Sequence, residues 1–223
     1  MKSLLAVVIV VALANPHYAQ VVEKPDTALE RDWQEYVTLL RTEESTSSFF
    51  AKHAMERIKA WREAADKGDA HGQVLYARCL IQGTGVAKDV DQAHLLFETA
   101  AKKGEPIAMF NLGISCAKQQ DWKHCNEWLH KSAERGESAA MSRLSSNYYE
   151  GNGVPVDKLE AVKWAKAAAE KNDPMGMCLL AISFELGSGV EKDLKAAATW
   201  YKRSCRKRTT KSHGWPGNDV RGW

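Results

Sequence analysis

The chain has 223 residues, of which 44% are hydrophobic, and a formal net charge of +3. A chain of this length and composition can bury a core, so it is expected to fold. Its charge is too close to neutral to require nucleic acid or a membrane surface as a partner, and we predict no nucleic-acid binding.

Residues 1–19 are expected to be a cleavable signal peptide. Lys2 precedes an apolar run from Leu4 to Leu13, and small residues follow at two candidate cleavage sites, after Ala14 and after Ala19. The run is short for a membrane-spanning helix, which needs about 20 residues, so an uncleaved anchor is the lesser alternative. The sequence therefore predicts a chain that is exported to the periplasm or secreted.

Two helices are expected next, over 27–40 and 48–67. In the first of them, Trp33 and Tyr36 fall on one apolar stripe. We interpret residues 20–68 as an N-terminal helical cap, a degenerate hairpin that covers the exposed end of the repeated units that follow.

The sequence then repeats, with a period of 36 residues. Gly151-Asn152-Gly153-Val154 aligns with 187–190 after a shift of 36 residues, and with 83–86 after a shift back of 68. A fixed period in this range is typical of solenoids. Four units are predicted, at 69–104, 105–136, 137–172 and 173–207.

Each unit is predicted to be a pair of antiparallel helices. In the third unit, Ala140, Leu144 and Tyr148 share one face of a first helix. The Gly-x-Gly segment ends that helix, because glycine adopts the left-handed conformation of a helix C-terminus at little cost. Asp157 is the expected N-cap of the second helix, in which Trp164 is expected to fill the seam to the neighbouring hairpin.

The second unit has 32 residues, because Lys118-Gln119-Gln120-Asp121 replaces the Gly-x-Gly loop. We expect a tight turn centred on Gln120 and Asp121 in this unit. Apart from that unit, the pattern A-x3-L-G-x2-Y-x2-G-x-G-V-x2-D-x3-A-x2-W-x3-A-A-x2-G is followed with mild departures, such as Ser145 and Ala181 in place of the helix glycine and Leu96 in place of the tryptophan.

This pattern resembles the Sel-one-like repeat, a relative of the tetratricopeptide repeat, over roughly 69–207. The resemblance implies an all-α, right-handed α/α superhelical solenoid in which first helices line a concave groove. It also implies work through protein contacts, as a scaffold, adaptor or inhibitor. One family role that fits is an immunity-type periplasmic inhibitor of a secreted phospholipase toxin. The alternatives are a secreted factor and a hydrolase like those claimed for cysteine-rich relatives.

Residues of the first helices that are not needed for packing are expected to face this groove and bind another protein. Phe110, Ile114 and Tyr149 are the expected anchors near its middle. An alternative is that Phe110 and Ile114 only fill gaps between helices. The predicted set is His71, Arg78, Ile81, Gln82, Phe110, Ile114, Lys118, Ser142, Ser146, Tyr149, Glu150, Cys178, Ile182 and Glu185.

Disulfides are possible in an exported chain with five cysteines. Cys116 and Cys125 are equally far from the short turn, and Cys178 and Cys205 are equally far from the last loop. Residues at equal distance from a hairpin turn lie at similar height, so each pair is a candidate bridge. The alternative is that the cysteines are buried free thiols.

The search for an enzyme is negative. The sequence has no G-x-S-x-G elbow, no H-E-x-x-H, no phosphate loop and no C-x2-C pair. The recurring Gly-x-Gly segments are better explained by helix ends than by phosphate binding, and His124 beside Cys125 is a weak metal signal. We therefore predict no catalytic site, no cofactor and no metal.

The end of the chain is basic. Six cations with no acid among them run from Lys202 to Lys211, and residues 208–223 are predicted to be a flexible tail. Solvated cations that complement a helix C-terminus explain such a run, and a weak contact with a membrane surface or an acidic protein is the alternative.

Overall fold

The computed structural model describes residues 27–41 and 46–205. The predicted signal peptide and the basic tail 208–223 lie outside these residues. The described part is entirely helical, as the repeat pattern predicts. Its helices are α1 (Ala28–Arg41), α2 (Thr46–Asp66), α3 (Ala70–Gln82), α4 (Val90–Lys102), α5 (Pro106–Lys118), α6 (Trp122–Glu134), α7 (Ser138–Glu150), α8 (Lys158–Glu170), α9 (Pro174–Leu186) and α10 (Leu194–Cys205). None of these helices is both long enough and apolar enough to span a bilayer.

Helices α3 to α10 form four antiparallel hairpins, and each hairpin packs against the next one along the chain. The first helices α3, α5, α7 and α9 lie on one side of the stack, and the second helices α4, α6, α8 and α10 lie on the other. Helices α1 and α2 pack against α3 at the start of the stack. The described chain is therefore an α/α solenoid with an extra helix pair at its N-terminal end.

Local capping fixes the start of every helix in the four hairpins. The second helices begin after Asp89, Asp121, Asp157 and Asp193, whose carboxylates accept backbone N–H groups of the first turn. The capping role predicted for Asp157 is confirmed, since its Oδ1 lies 3.0 Å from the amide nitrogens of both Leu159 and Glu160. The first helices have equivalent acidic caps, at Asp69, Glu105, Glu137 and Asp173.

The two glycines of each Gly-x-Gly loop have different roles. The first, such as Gly151 with φ of 84°, is the left-handed C-cap of its helix, as expected. In the last two loops, the second glycine lies against the start of the preceding hairpin's second helix, which the sequence interpretation missed. A Cβ at Gly189 would lie 2.1 Å from the carbonyl oxygen of Lys158, and a Cβ at Gly153 would lie 2.4 Å from Cβ of Trp122. The second glycine therefore allows neighbouring units to approach closely.

The second unit has the predicted tight turn. Helix α5 ends at Lys118 and α6 begins at Trp122, and the backbone N–H of Asp121 donates to the carbonyl of Cys116 at 3.0 Å. Gln120 takes the left-handed conformation there, with φ of 60°. Because the turn is so short, this unit has no loop that lies on the second helix α4 of the unit before it.

The N-terminal helix pair has a dense aromatic core. Trp61 is fully buried against Phe49 and Phe50, whose ring centroids lie 5.8 and 5.9 Å from its own. Its indole N–H donates to the carboxylate of Asp32 at 2.8 Å, and Arg57 lies 3.0 Å from the same carboxylate. The hydrogen bond and the ion pair stabilise a buried charge that would otherwise be costly.

Candidate functional site

The centre of the first-helix side carries one residue from each unit in the same register. These residues are Arg78 in α3, Ile114 in α5, Ser146 in α7 and Ile182 in α9, and all four are half-buried. We call them the central row. Phe110 lies one turn before Ile114 in α5, is also half-buried and packs against the core of the middle hairpins. The surface where the groove is predicted therefore carries apolar side chains at its middle and one cation at its N-terminal side.

Arg78 connects the first two members of the row. Its Nη1 lies 3.5 Å from Oδ1 of Asn111 in α5, at the outer limit of a hydrogen bond. Asn111 is held in place because its Nδ2 donates to the backbone carbonyl of Ile107 at 2.7 Å. Arg78 therefore lies between α3 and α5, beside the turn of α5 that carries Phe110 and Ile114.

Ser142 does not face the groove as predicted. It is only 4% exposed, and its hydroxyl donates to the carboxylate of Asp173 at 2.6 Å, which connects α7 directly to α9. Asp173 also accepts the backbone N–H of Gly176 at 2.8 Å as the cap of α9. Burial raises the pKa of Asp173, and these hydrogen bonds oppose the rise. Ser142 is thus part of the inter-repeat packing.

Replacing Ser142 with alanine is expected to lower the free energy of unfolding by about 1.5–3 kcal/mol, because it removes a donor from a buried carboxylate. Ser146 is the matched control, since its hydroxyl donates only to the carbonyl of Ser142 in its own helix, at 3.3 Å. Ser146→Ala should change stability by less than about 0.5 kcal/mol. Chemical denaturation of the two variants measures both values, and equal losses would contradict the role given to Ser142.

The predicted groove residues at the C-terminal ends of the first helices are engaged within their own hairpins. The ammonium of Lys158 lies 3.3 Å from the ring centroid of Tyr149 and donates to its backbone carbonyl at 2.6 Å. The hydroxyl of Tyr201 in α10 donates to Glu185 at 2.7 Å. These contacts place Tyr149 and Glu185 against the second-helix side of their units, so Tyr149 is not a free anchor in the middle of the groove.

Three other predicted residues lie at the same ends of the helices. Gln82 accepts a long hydrogen bond of 3.5 Å from the hydroxyl of Thr84 in the following loop. Glu150 accepts from the side-chain amide of Asn152 at 2.7 Å, and Lys118 is exposed at the end of α5. These three residues, with Tyr149 and Glu185, therefore form a group at the loop edge, apart from the central row.

His71, the first predicted groove residue, is enclosed by the N-terminal cap. Its ring stacks on Trp33 of α1 with centroids 4.1 Å apart and planes 7° apart. Its two ring nitrogens lie 3.4 Å from Glu30 of α1 and 3.5 Å from Glu105 of α5. His71 therefore joins the cap to the first two hairpins.

The predicted bridge between Cys116 and Cys125 is not formed in the structure, where both are free thiols. Burial raises the pKa of Cys116, and it raises the pKa of Cys125 to about 11 and that of Cys79 to about 12. These cysteines are thus packed thiols with little thiolate character at neutral pH. The predicted pair of Cys178 and Cys205 stays a prediction, because the side chain of Cys205 lies outside the described residues.

The described residues were predicted to hold no metal site. Their His, Cys, Asp and Glu side chains form no group of three or more that could hold a metal ion. Two adjoining cavities of about 480 Å³ each lie between the start of α1 and the α2–α3 connection, where Leu29, Gly68 and Asp69 line both. The second glycines of the Gly-x-Gly loops face the neighbouring hairpin, which is a packing contact and leaves no phosphate cradle there.

The stacked hairpins define a repeat protein of the α/α solenoid class. The family model for the Sel1 repeat matches residues 70–105, 106–137, 138–173 and 174–208. The chain belongs to the Sel1 repeat family. The four matched units start one residue later than the predicted ones. Among curated proteins, none matches the chain.

Solved structures give the same fold. A protective antigen present in uropathogenic Escherichia coli strains, with an SLR fold, is 32% identical over 67% of this chain, with a TM-score of 0.64. The match covers 33% of that protein, so this chain spans about a third of its length. A Sel1 repeat protein from Oxalobacter formigenes is 26% identical, with a TM-score of 0.65, and the match covers 85% of this chain and 78% of that one.

An immunity protein from Pseudomonas aeruginosa is a more distant structural relative. It is 18% identical over 85% of this chain and 69% of its own length, with a TM-score of 0.57. At this level of identity the match shows a shared fold and no more.

Proposed function

We propose that the chain is a protein-binding module without a catalytic site of its own, and that the first-helix groove holds a segment of its partner. The observation that carries this proposal is the central row, together with Phe110. Ile114, Ile182 and Phe110 are large apolar side chains that stay partly exposed along one face of the stack. Membership of the Sel1 repeat family supports work through protein contacts.

The composition of the groove suits a protein partner better than a small molecule. Its apolar side chains are spread along several helices, so they offer an extended surface that a peptide segment or a helix can cover. Arg78 and Ser146 add polar groups among the apolar ones, as protein interfaces commonly do.

We propose further that the chain is exported, which rests on the sequence of residues 1–19. The two proposals can be tested in one purification of the native chain from its own envelope. The mass of the purified chain should correspond to a mature N-terminus at Asn15 or Gln20, and a chain that begins at Met1 would contradict cleavage. The same purification should recover a partner protein in a defined ratio.

Matched variants test whether that partner occupies the groove. Ile114→Asp puts a charge at an apolar position of the central row. Ser146→Arg puts a large side chain into the groove at a position that is already polar. Leu95→Asp is the control, because Leu95 is 62% exposed on the second helix α4. We expect the first two variants to bind the partner with an affinity that is lower by about tenfold or more, and the control to bind it with unchanged affinity. Loss with Leu95→Asp alone would contradict the proposal, and unchanged melting temperatures would show that the variants fold.

The narrower role of an immunity-type inhibitor would use the same surface. If the recovered partner is a phospholipase, the purified chain should inhibit its activity, and Ser146→Arg should abolish that inhibition. A phospholipase that stays fully active with a saturating amount of the chain would contradict this role.

A further inference from the structure

Arg78 has no carboxylate partner among the described residues. The contact of its Nη1 with Asn111, at 3.5 Å, is long for a hydrogen bond. Its Nε is buried and has no hydrogen-bond partner among the described residues, so the guanidinium has lost part of its water without a direct ion pair to a described carboxylate. A partly desolvated cation without a partner is unfavourable, and an incoming anion would stabilise it.

The acidic residues at the start of the neighbouring first helices have other partners. Glu105 accepts the backbone N–H of Ile107 at 3.2 Å as the cap of α5, and its second carboxylate oxygen lies 3.5 Å from His71. Glu137 accepts the backbone N–H of Ala139 at 3.1 Å as the cap of α7. In the N-terminal helix pair α1 and α2, by contrast, Arg57 has a direct carboxylate partner in Asp32.

Arg78 also lies next to the apolar part of the groove. Asn111, which contacts it, follows Phe110 directly in α5, and Ile114 lies one turn further along the same helix. A segment that lies across α3 and α5 therefore meets a cation and an apolar surface side by side.

We propose that the segment held by the groove presents an acidic side chain to Arg78 and an adjacent aliphatic or aromatic side chain to Phe110 and Ile114. This inference rests on the proposed function and names the chemistry of its partner. Arginine suits such a contact, because its planar guanidinium can donate two parallel hydrogen bonds to one carboxylate. The free energy of that contact is greatest where the bound segment excludes water.

A display library of random dodecapeptides, selected on the mature chain, provides the probe. We expect the selected peptides to be enriched in Asp or Glu next to a large apolar residue. One selected peptide is then synthesised, together with a version in which its acid is replaced by the amide. Arg78→Gln should lower the affinity for the acidic peptide by about tenfold or more, and should have little effect on the affinity for the amide version.

Two further variants make the result specific. Arg78→Lys keeps the charge without the paired donors, so it should bind the peptide with intermediate affinity. Lys118→Gln removes an exposed cation from the end of α5 and should change affinity by less than about twofold, as is usual for an exposed charge. The melting temperature of Arg78→Gln should change little, because the guanidinium forms no ion pair with a described residue and its hydrogen bond to Asn111 is long.

The outcomes separate this inference from the proposed function. Peptides that are displaced by Ser146→Arg but bind Arg78→Gln as tightly as the native chain would overturn the role of Arg78 and leave the groove as the binding site. Peptides that bind both variants as tightly as the native chain would overturn the inference together with the groove. A library that yields no binders would do the same.

Discussion

Replacing Trp61 with alanine should lower the free energy of unfolding by about 3–5 kcal/mol, the largest effect expected of any single side chain in the cap. The ring is 0% exposed, and its removal leaves a large cavity beside Phe49 and Phe50. It also removes the indole donor from Asp32, a carboxylate that is itself buried. Denaturant unfolding followed by circular dichroism measures the loss.

Trp164→Ala is the matched control for this prediction. Trp164 does fill the seam, since the centroid of its ring lies 5.5 Å from that of His130 in α6. It is only partly buried, however, and its indole nitrogen has no hydrogen-bond partner among the described residues. Its loss should therefore be smaller, about 1.5–3 kcal/mol. A loss for Trp164→Ala as large as that for Trp61→Ala would contradict the view that the cap holds the tightest core in the described residues.

Replacing Gly189 with alanine should destabilise the last hairpin by about 3 kcal/mol or more. Two effects combine in this variant. The residue has φ of 74°, a conformation that costs a residue with Cβ about 1–2 kcal/mol. The new Cβ would also lie 2.1 Å from the carbonyl oxygen of Lys158, so the loop must move away from α8.

Gly83→Ala isolates the first of these effects. Gly83 has φ of 72°, but the nearest atom to an added Cβ is 3.6 Å away, an ordinary contact distance. We therefore expect a loss of only about 1–2 kcal/mol in this variant. Hydrogen exchange of the amides of α10 should increase in Gly189→Ala, because the last hairpin loses its contact with α8. Equal losses for the two variants would show that the glycine serves conformation alone.

The features predicted correctly from the sequence are those that depend on nearby residues. Helix ends at Gly151, the cap at Asp157 and the tight turn at Gln120 follow from local conformational preferences, which a repeat period makes easy to recognise. The close approach of Gly189 to Lys158 could not be predicted in this way. It depends on how one hairpin docks on the previous one, and the 36-residue period constrains that geometry only indirectly.

The groove was harder to predict for the same reason. Helical register identifies which residues of one helix share a face, but the packing of neighbouring hairpins decides which part of that face stays open. Ser142 lies at the α7–α9 contact for this reason, and Tyr149 lies under Lys158. Asp173 is recognisable in the sequence as the acidic cap of α9, three residues before Gly176. Only the structure shows that it is buried and bonded to Ser142.

The sequence also could not show that Arg78 forms no ion pair with another described residue. Several acids occur within one unit of it, and spacing alone cannot show that Glu105 is committed to His71 and to the first turn of α5. The preference of Arg78 for an acidic partner therefore follows from the three-dimensional arrangement of side chains around this one cation.

Site-specific photocrosslinking in the cells that produce the chain is the most direct test of the groove as a binding surface. A photoreactive amino acid is placed at Ile114 in one variant and at Leu95, on the outer side of α4, in another. We expect a discrete crosslinked protein from position 114 and none from position 95. A crosslink from position 95 with none from position 114 would contradict this expectation.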